Sequence, residues 1–306
     1  MIANNKKLDM PSKPKRGVGK ANGTFGELLQ GVLSDDSDFL VTLPIESYSY
    51  CYFYARDTDS IRILPMSKKK SAILASKILS FYKLPTGGDI LIKSELEEGK
   101  GLASSTADMI ATARAIENYY NLSIPVDVLE RLIREIEPTD GIMYDGIVSY
   151  YHKEVKLMKY IGECPPMTIL GIDEGGEVET IEFNKKAKPF NKEEKKEYEN
   201  LLSKITSGIL NNDMTLIGEV ASRSALINQS LHPKRTFEDI KRINSAINGL
   251  GVITAHSGTY IGILLSQLDT QHDWKVKQGE YELKKLGYDV RLFNTKVQHI
   301  KEKFHV

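Results

Sequence analysis

The chain has 306 residues, enough for about two domains and a sizeable core. Hydrophobic residues make up 41% and charged residues 27%, and lysine plus arginine equals aspartate plus glutamate at 41 each. This composition is that of an ordinary soluble protein, and the balance argues against nucleic acid or an anionic membrane surface as an obligate partner. The two cysteines, Cys51 and Cys164, exclude a disulfide framework, and no apolar run is long enough to span a bilayer. The first residues lack the apolar block of a signal peptide, so a reducing, cytoplasmic setting is expected.

Residues 1–16 are polar and basic and are expected to form a flexible tail. Gly17 to Gly31 follows, with five glycines in fifteen residues. That density is expected to interrupt regular structure, leaving a hairpin, a bulged strand, or a backbone brought close to a ligand with Glu27 beside it. Phe39–Pro44, Ser47–Ala55 and Ile61–Leu64 have strand character. Lys68–Lys83 has helical spacing, and its opening run Lys68-Lys69-Lys70 suggests a solvated helix start. Asp89–Ser94 is a further strand.

That strand leads into Glu98-Gly99-Lys100-Gly101-Leu102-Ala103-Ser104-Ser105-Thr106-Ala107-Asp108. Gly99 and Gly101 let the backbone curl and turn its amides inward. Ser104, Ser105 and Thr106 then open a helix in which Met109, Ala113, Ile116 and Tyr120 share one face. The first N–H groups of a helix have no internal partners, and with the helix dipole they suit an anion. The same residues also form a capping box, Ser105-x-x-Asp108, that would simply start a helix. The stretch is neither a Walker loop nor a dinucleotide fingerprint.

A second helix over Val126–Ile136 is broken by Glu137-Pro138-Thr139-Asp140-Gly141. Asp140 is either a turn residue or a carboxylate projecting into a cleft. Val148–Leu157 and Met167–Ile172 are expected strands, with Pro165-Pro166 marking a domain boundary near 160. Lys185–Lys196 is a lysine-rich linker. Helices are expected over Glu193–Leu210, Met214–Leu226, Thr236–Asn248 and His272–Leu286, and a last strand over Asp289–Phe293. Between them lies a third glycine-marked segment, Gly249 to Tyr260. The six histidines do not fall into a zinc pattern, and His256-Ser257 has no nucleophile elbow around it.

In this order the three glycine segments resemble the motifs of the galactokinase, homoserine kinase, mevalonate kinase and phosphomevalonate kinase (GHMP) superfamily. Gly26-Glu27 resembles the end of its first motif, Gly101 to Thr106 its glycine-serine loop, and Ala255 to Thr259 its C-terminal glycine-rich stretch. Within that superfamily the chain looks most like the L-threonine kinases of cobalamin synthesis and propanediol utilisation. The likeness is carried by Gly26-Glu27-Leu28-Leu29-Gln30-Gly31, Ala103 to Asp108, and Glu137-Pro138-Thr139-Asp140. The chain departs from the superfamily at Ala103, where a glycine is usual, and in lacking Pro-Gly-Lys before Gly26. It departs from the threonine kinases at Gly141, where a serine is expected.

The resemblance implies an α/β protein of two lobes. These are a ribosomal S5 domain 2-like ATP-binding lobe over residues 17–160 and a ferredoxin-like lobe over 161–306. It implies ATP and Mg²⁺ as cofactors and a small hydroxylated substrate such as an amino acid, and leaves homodimerisation open. It assigns Gly99, Lys100, Gly101, Leu102, Ala103, Ser104, Ser105 and Thr106 to the nucleotide and Ser104, Ser105 and Glu137 to the metal. Asp140 would orient and deprotonate the acceptor hydroxyl, and Glu27, His256, Ser257, Gly258 and Thr259 would bind the acceptor.

Overall fold

The computed structural model describes residues 15–176, 190–255 and 257–298. Residues 1–14 of the expected tail, the start of the lysine-rich linker at 185–189, and His256 lie outside the described residues. In chain order the elements are β1 (Gly17–Val32), β2 (Asp38–Ala55), β3 (Ile61–Leu64), α1 (Lys69–Phe81), β4 (Gly88–Ser94), α2 (Ser104–Tyr120), α3 (Val126–Arg134), β5 (Ile147–Tyr151), β6 (Lys156–Gly162), β7 (Met167–Asp173), α4 (Lys192–Leu210), α5 (Met214–Asn228), α6 (Phe237–Ala246), β8 (Gly251–Thr254), β9 (Tyr260–Ser266), α7 (His272–Lys285) and β10 (Val290–Asn294). The fold is mixed α/β, as expected. Its main sheet runs β10-β7-β9-β8-β1-β2-β4-β3, with β5 branching from β2 and pairing with β6. Only β3–β4 is parallel among these pairings.

Of the alternatives for the glycine-rich stretch, the bulged strand is the one formed: residues 17–32 make one sixteen-residue strand, β1, with register shifts, and the glycines do not interrupt it. Its glycines admit a helix: a Cβ at Gly17 or Gly19 would lie 2.0 Å from the carbonyl oxygens of Ala115 and Ala111 on α2. The expected strands 39–44 and 47–55 are a single strand, β2, and Pro44 is accommodated where β1 shifts register opposite Thr24. Conversely Val148–Leu157 divides into β5 and β6 around a turn in which Val155 has φ 48°.

Helix α2 is buried over most of its circumference, from Ala107 to Ile116, because it is sandwiched between β1, β2 and α1. A second apolar cluster, including Leu170, Ile243, Val252, Ile263 and Leu283, fills the space between the C-terminal strands and α6 and α7. The two halves of the sheet meet at one residue pair, Glu27 of β1 opposite Thr254 of β8. This junction carries the site.

Two bulges flank Glu27. Thr24 opposes Pro44 and Glu27 opposes Thr42, which leaves one extra residue on β1; Leu29 then opposes Val41, which leaves another. In a regular strand, residues three apart point to opposite faces. The second bulge resets the alternation, so that Glu27 and Gln30 line the same cavity. Among the described residues no helix is long and apolar enough to cross a membrane.

Candidate active site

A cavity of about 620 Å³ lies between β1, the 98–108 loop, the start of α1 and the 137–140 turn. Its wall brings together Glu27, Gly99, Gly101 to Thr106, Glu137, Asp140 and Ser257 from the residues singled out in the sequence. Lys100, Gly258 and Thr259 are not part of that wall. They lie behind the loop and hold it: Lys100 Nζ is 2.7 Å from Asp173 Oδ2 and donates to the Gly176 carbonyl, and the Thr259 amide donates to the Lys100 carbonyl. Thr259 Oγ1 donates to the other oxygen of Asp173.

The loop is curled as its glycines suggest. Gly99 and Gly101 have φ 70° and 85°, and Ala103 adopts the left-handed region at φ 54° as the residue that caps α2. A Cβ on Gly101 would come within 2.2 Å of the Ala255 Cβ, and one on Gly258 within 2.2 Å of the Lys100 carbonyl oxygen. From the other side β1 grips the loop, with the amides of Thr24 and Gly26 donating to the carbonyls of Leu102 and Gly101. A pinned curl followed directly by a helix start presents unpaired amides to the cavity.

The capping box is not formed. The cap position is Ala103, no side chain caps α2, and both members of the supposed box are engaged elsewhere. Ser105 Oγ donates to Glu137 Oε1 at 2.5 Å. Asp108 is buried, accepts from Ser49 Oγ at 2.5 Å, and meets Lys68 Nζ at 2.6 Å. Burial pushes the Asp108 carboxyl above its ordinary pKa despite these partners. Burial alone would lower the Lys68 ammonium, but its hydrogen bonds to Asp108 and Glu98 hold it above its usual value.

Lys68 and Lys70 were missed in the sequence. They are not a solvated helix start: the Lys68 side chain is only 9% exposed, and Lys70 Nζ pairs with Glu137. A signal existed, since three cations at a helix N-terminus oppose its dipole and so call for anionic partners.

The 137–140 turn is fixed by Thr106 Oγ1 against Thr139 Oγ1 at 2.5 Å and by the Thr139 amide donating to the His152 carbonyl. Asp140, half-buried at its end, is raised to about 7 by burial first and then by the negative charges of Glu27 and Glu137. Nearby, Lys234 is buried with its Nζ on the Gly258 carbonyl, and burial lowers it to about 8.

Among the described residues no group of three or more His, Cys, Asp or Glu side chains is arranged to hold a metal ion. The Ser105 hydroxyl and Glu137 carboxylate offer two hard oxygen donors beside the helix N-terminus. This set suits Mg²⁺ when phosphate oxygens complete its coordination. A curled glycine loop at a helix start, two adjacent oxygen donors and a raised carboxyl thus share one cavity.

Comparison with known proteins agrees with this geometry. Residues 69–153 match the family model for the GHMP kinases N terminal domain. A homoserine kinase structure from Cytophaga hutchinsonii superposes with a TM-score of 0.74 at 17% identity, over 95% of this chain and 98% of that one. The chain therefore has the mixed α/β fold of the GHMP kinases of known structure. In sequence it is 25% identical to an L-threonine kinase of Citrobacter freundii over 84% of its own length and 88% of the relative's. It is 24% identical to an L-threonine kinase of Salmonella typhimurium, over 88% and 89% respectively.

Proposed function

We propose that the chain is an ATP-dependent kinase that phosphorylates the side-chain hydroxyl of an amino acid, with L-threonine converted to O-phospho-L-threonine. The observation that carries this reading is the shared cavity: the glycine loop and the Ser105–Glu137 corner line the same cleft as Glu27 and Asp140. The threonine kinase relatives supply the choice of acceptor.

In this mechanism the amides from Gly99 to Ser105 would hold the phosphates, and Ser105 with Glu137 would hold the metal. Bound Mg-ATP supplies the phosphoryl group and the neutralising charge. Asp140 aligns the acceptor hydroxyl and takes its proton. The acceptor oxygen forms its bond to the γ-phosphorus as the bridging bond to ADP breaks. Such a loose transfer needs positioning more than base strength, so a carboxyl with a pKa of about 7 suffices. Glu27, buried on β1, presents a carboxylate to the acceptor's ammonium.

A second reading keeps the chemistry and changes the alcohol, since a homoserine kinase shares the fold. An ADP-release assay across L-threonine, L-serine, L-homoserine and mevalonate separates the two. L-Threonine is expected to give the highest kcat/KM, with O-phospho-L-threonine identified by mass spectrometry. Preference for another alcohol overturns the acceptor assignment, and no turnover with any of them overturns the kinase reading.

A further inference from the structure

Gln30 belongs to the Gly26–Gly31 motif, and the mechanism above makes no use of it. Its side chain lines the cavity and is only 7% exposed. Its Oε1 is shielded from solvent and accepts no hydrogen bond from the described residues. Buried amide oxygens are seldom left unpaired, because the lost hydration is not replaced. The backbone around it is fixed: the Gln30 amide donates to Ser224 Oγ, and Gln30 lies opposite Leu40, itself opposite Tyr150. The bulge at Leu28 brings the Gln30 side chain onto the same side as Glu27, where both residues line the cavity.

Glu27, Gln30 and Asp140 stand in the same wall, and each side chain carries an acceptor oxygen. The cavity's two lysines are committed elsewhere, Lys68 to Glu98 and Asp108 and Lys70 to Glu137. Three acceptors suit the end of a ligand that is rich in donors. A primary ammonium, with three N–H groups and a positive charge, fits that description; a hydroxyl, with one, does not.

We infer that Gln30 Oε1, together with the Glu27 carboxylate, binds the free ammonium of the acceptor, making Gln30 a specificity residue that selects amino-bearing alcohols over their deaminated counterparts. This rests on the kinase reading above.

The test compares L-threonine with 3-hydroxybutyrate, which lacks the amino group, in the full-length wild-type chain and in Gln30→Leu and Gln30→Glu. Gln30→Leu is expected to raise KM for L-threonine about 10- to 100-fold, the size of a hydrogen bond to a charged group. It should leave KM for ATP and kcat on 3-hydroxybutyrate within about threefold. Gln30→Glu keeps an acceptor oxygen and is expected to retain L-threonine KM within about threefold. Equal losses on both substrates, or a worse result for Gln30→Glu than for Gln30→Leu, overturn the inference. The second outcome would mean that the amide acts as a donor. An active wild type with an indifferent Gln30→Leu sinks this inference alone, whereas a wild type inactive on every amino alcohol sinks the kinase reading as well.

Discussion

Ser105 Oγ donates to Glu137 Oε1 at 2.5 Å across 32 residues of chain, while the other oxygen of Glu137 is held by Lys70. The contact joins the first turn of α2 to the turn that carries Asp140. A metal ion bound there would be shared between the phosphate loop and the acceptor side, so one cation would set the distance between donor and acceptor.

Ser105→Ala and Glu137→Gln are therefore expected to raise the Mg²⁺ concentration needed for half-maximal activity about tenfold or more, with L-threonine binding little changed. Titrating Mg²⁺ at saturating ATP measures this. Wild-type Mg²⁺ dependence in both variants would remove the pair from the metal site.

Asp140 gives a prediction about pH. Burial and the charges of Glu27 and Glu137 raise it to about 7. A base must be ionised to accept a proton, so kcat/KM is expected to fall as pH drops below about 7. Glu27→Gln removes one of the charges and should move that limb to lower pH. Asp140→Asn should reduce kcat about 10²- to 10⁴-fold. Stability moves in the opposite sense. A carboxyl raised in the folded state contributes stability below its unfolded pKa of about 3.9, and that contribution is lost as pH rises through its folded value. The melting temperature of Asp140→Asn should thus gain on wild type as pH rises from about 4 to about 7. A difference that stays constant over this range contradicts a raised Asp140.

Much of the site was legible in the sequence because its signals are local. A curled loop needs glycines within a few residues of its helix, and Pro138 ends a helix beside the residues that follow it. Contacts made between distant segments were not legible. Ser105-x-x-Asp108 satisfies the local pattern of a cap, yet Ala103 in the left-handed region takes the cap position and frees both side chains for partners on other elements. The β1 strand stood only as one of several alternatives for a related reason. Its glycines weaken a strand judged alone, but two of them let α2 approach, and packing outweighs propensity. The shared side of Glu27 and Gln30 depends on a bulge, which shows only when β1 is paired with β2.

The Lys68–Asp108 pair gives the last prediction. Both side chains are withdrawn from water, Lys68 at 9% and Asp108 at 2% exposure, at 2.6 Å. Taking two charges out of water costs several kcal/mol per ion, and attraction repays that only while both are present. Burial still outweighs pairing at Asp108, whose pKa is raised. Lys68→Met would leave Asp108 facing Ser49 alone and is expected to cost about 3–5 kcal/mol of unfolding free energy. Asp108→Leu would strand a lysine that retains the more exposed Glu98, and should cost less. The double variant removes both charges and should be more stable than Lys68→Met alone, so the two losses are not additive. Urea denaturation of the four proteins measures the coupling. Strictly additive losses would mean that the two charges do not depend on each other, and that the lysine at the mouth of the cavity is held by Glu98 instead.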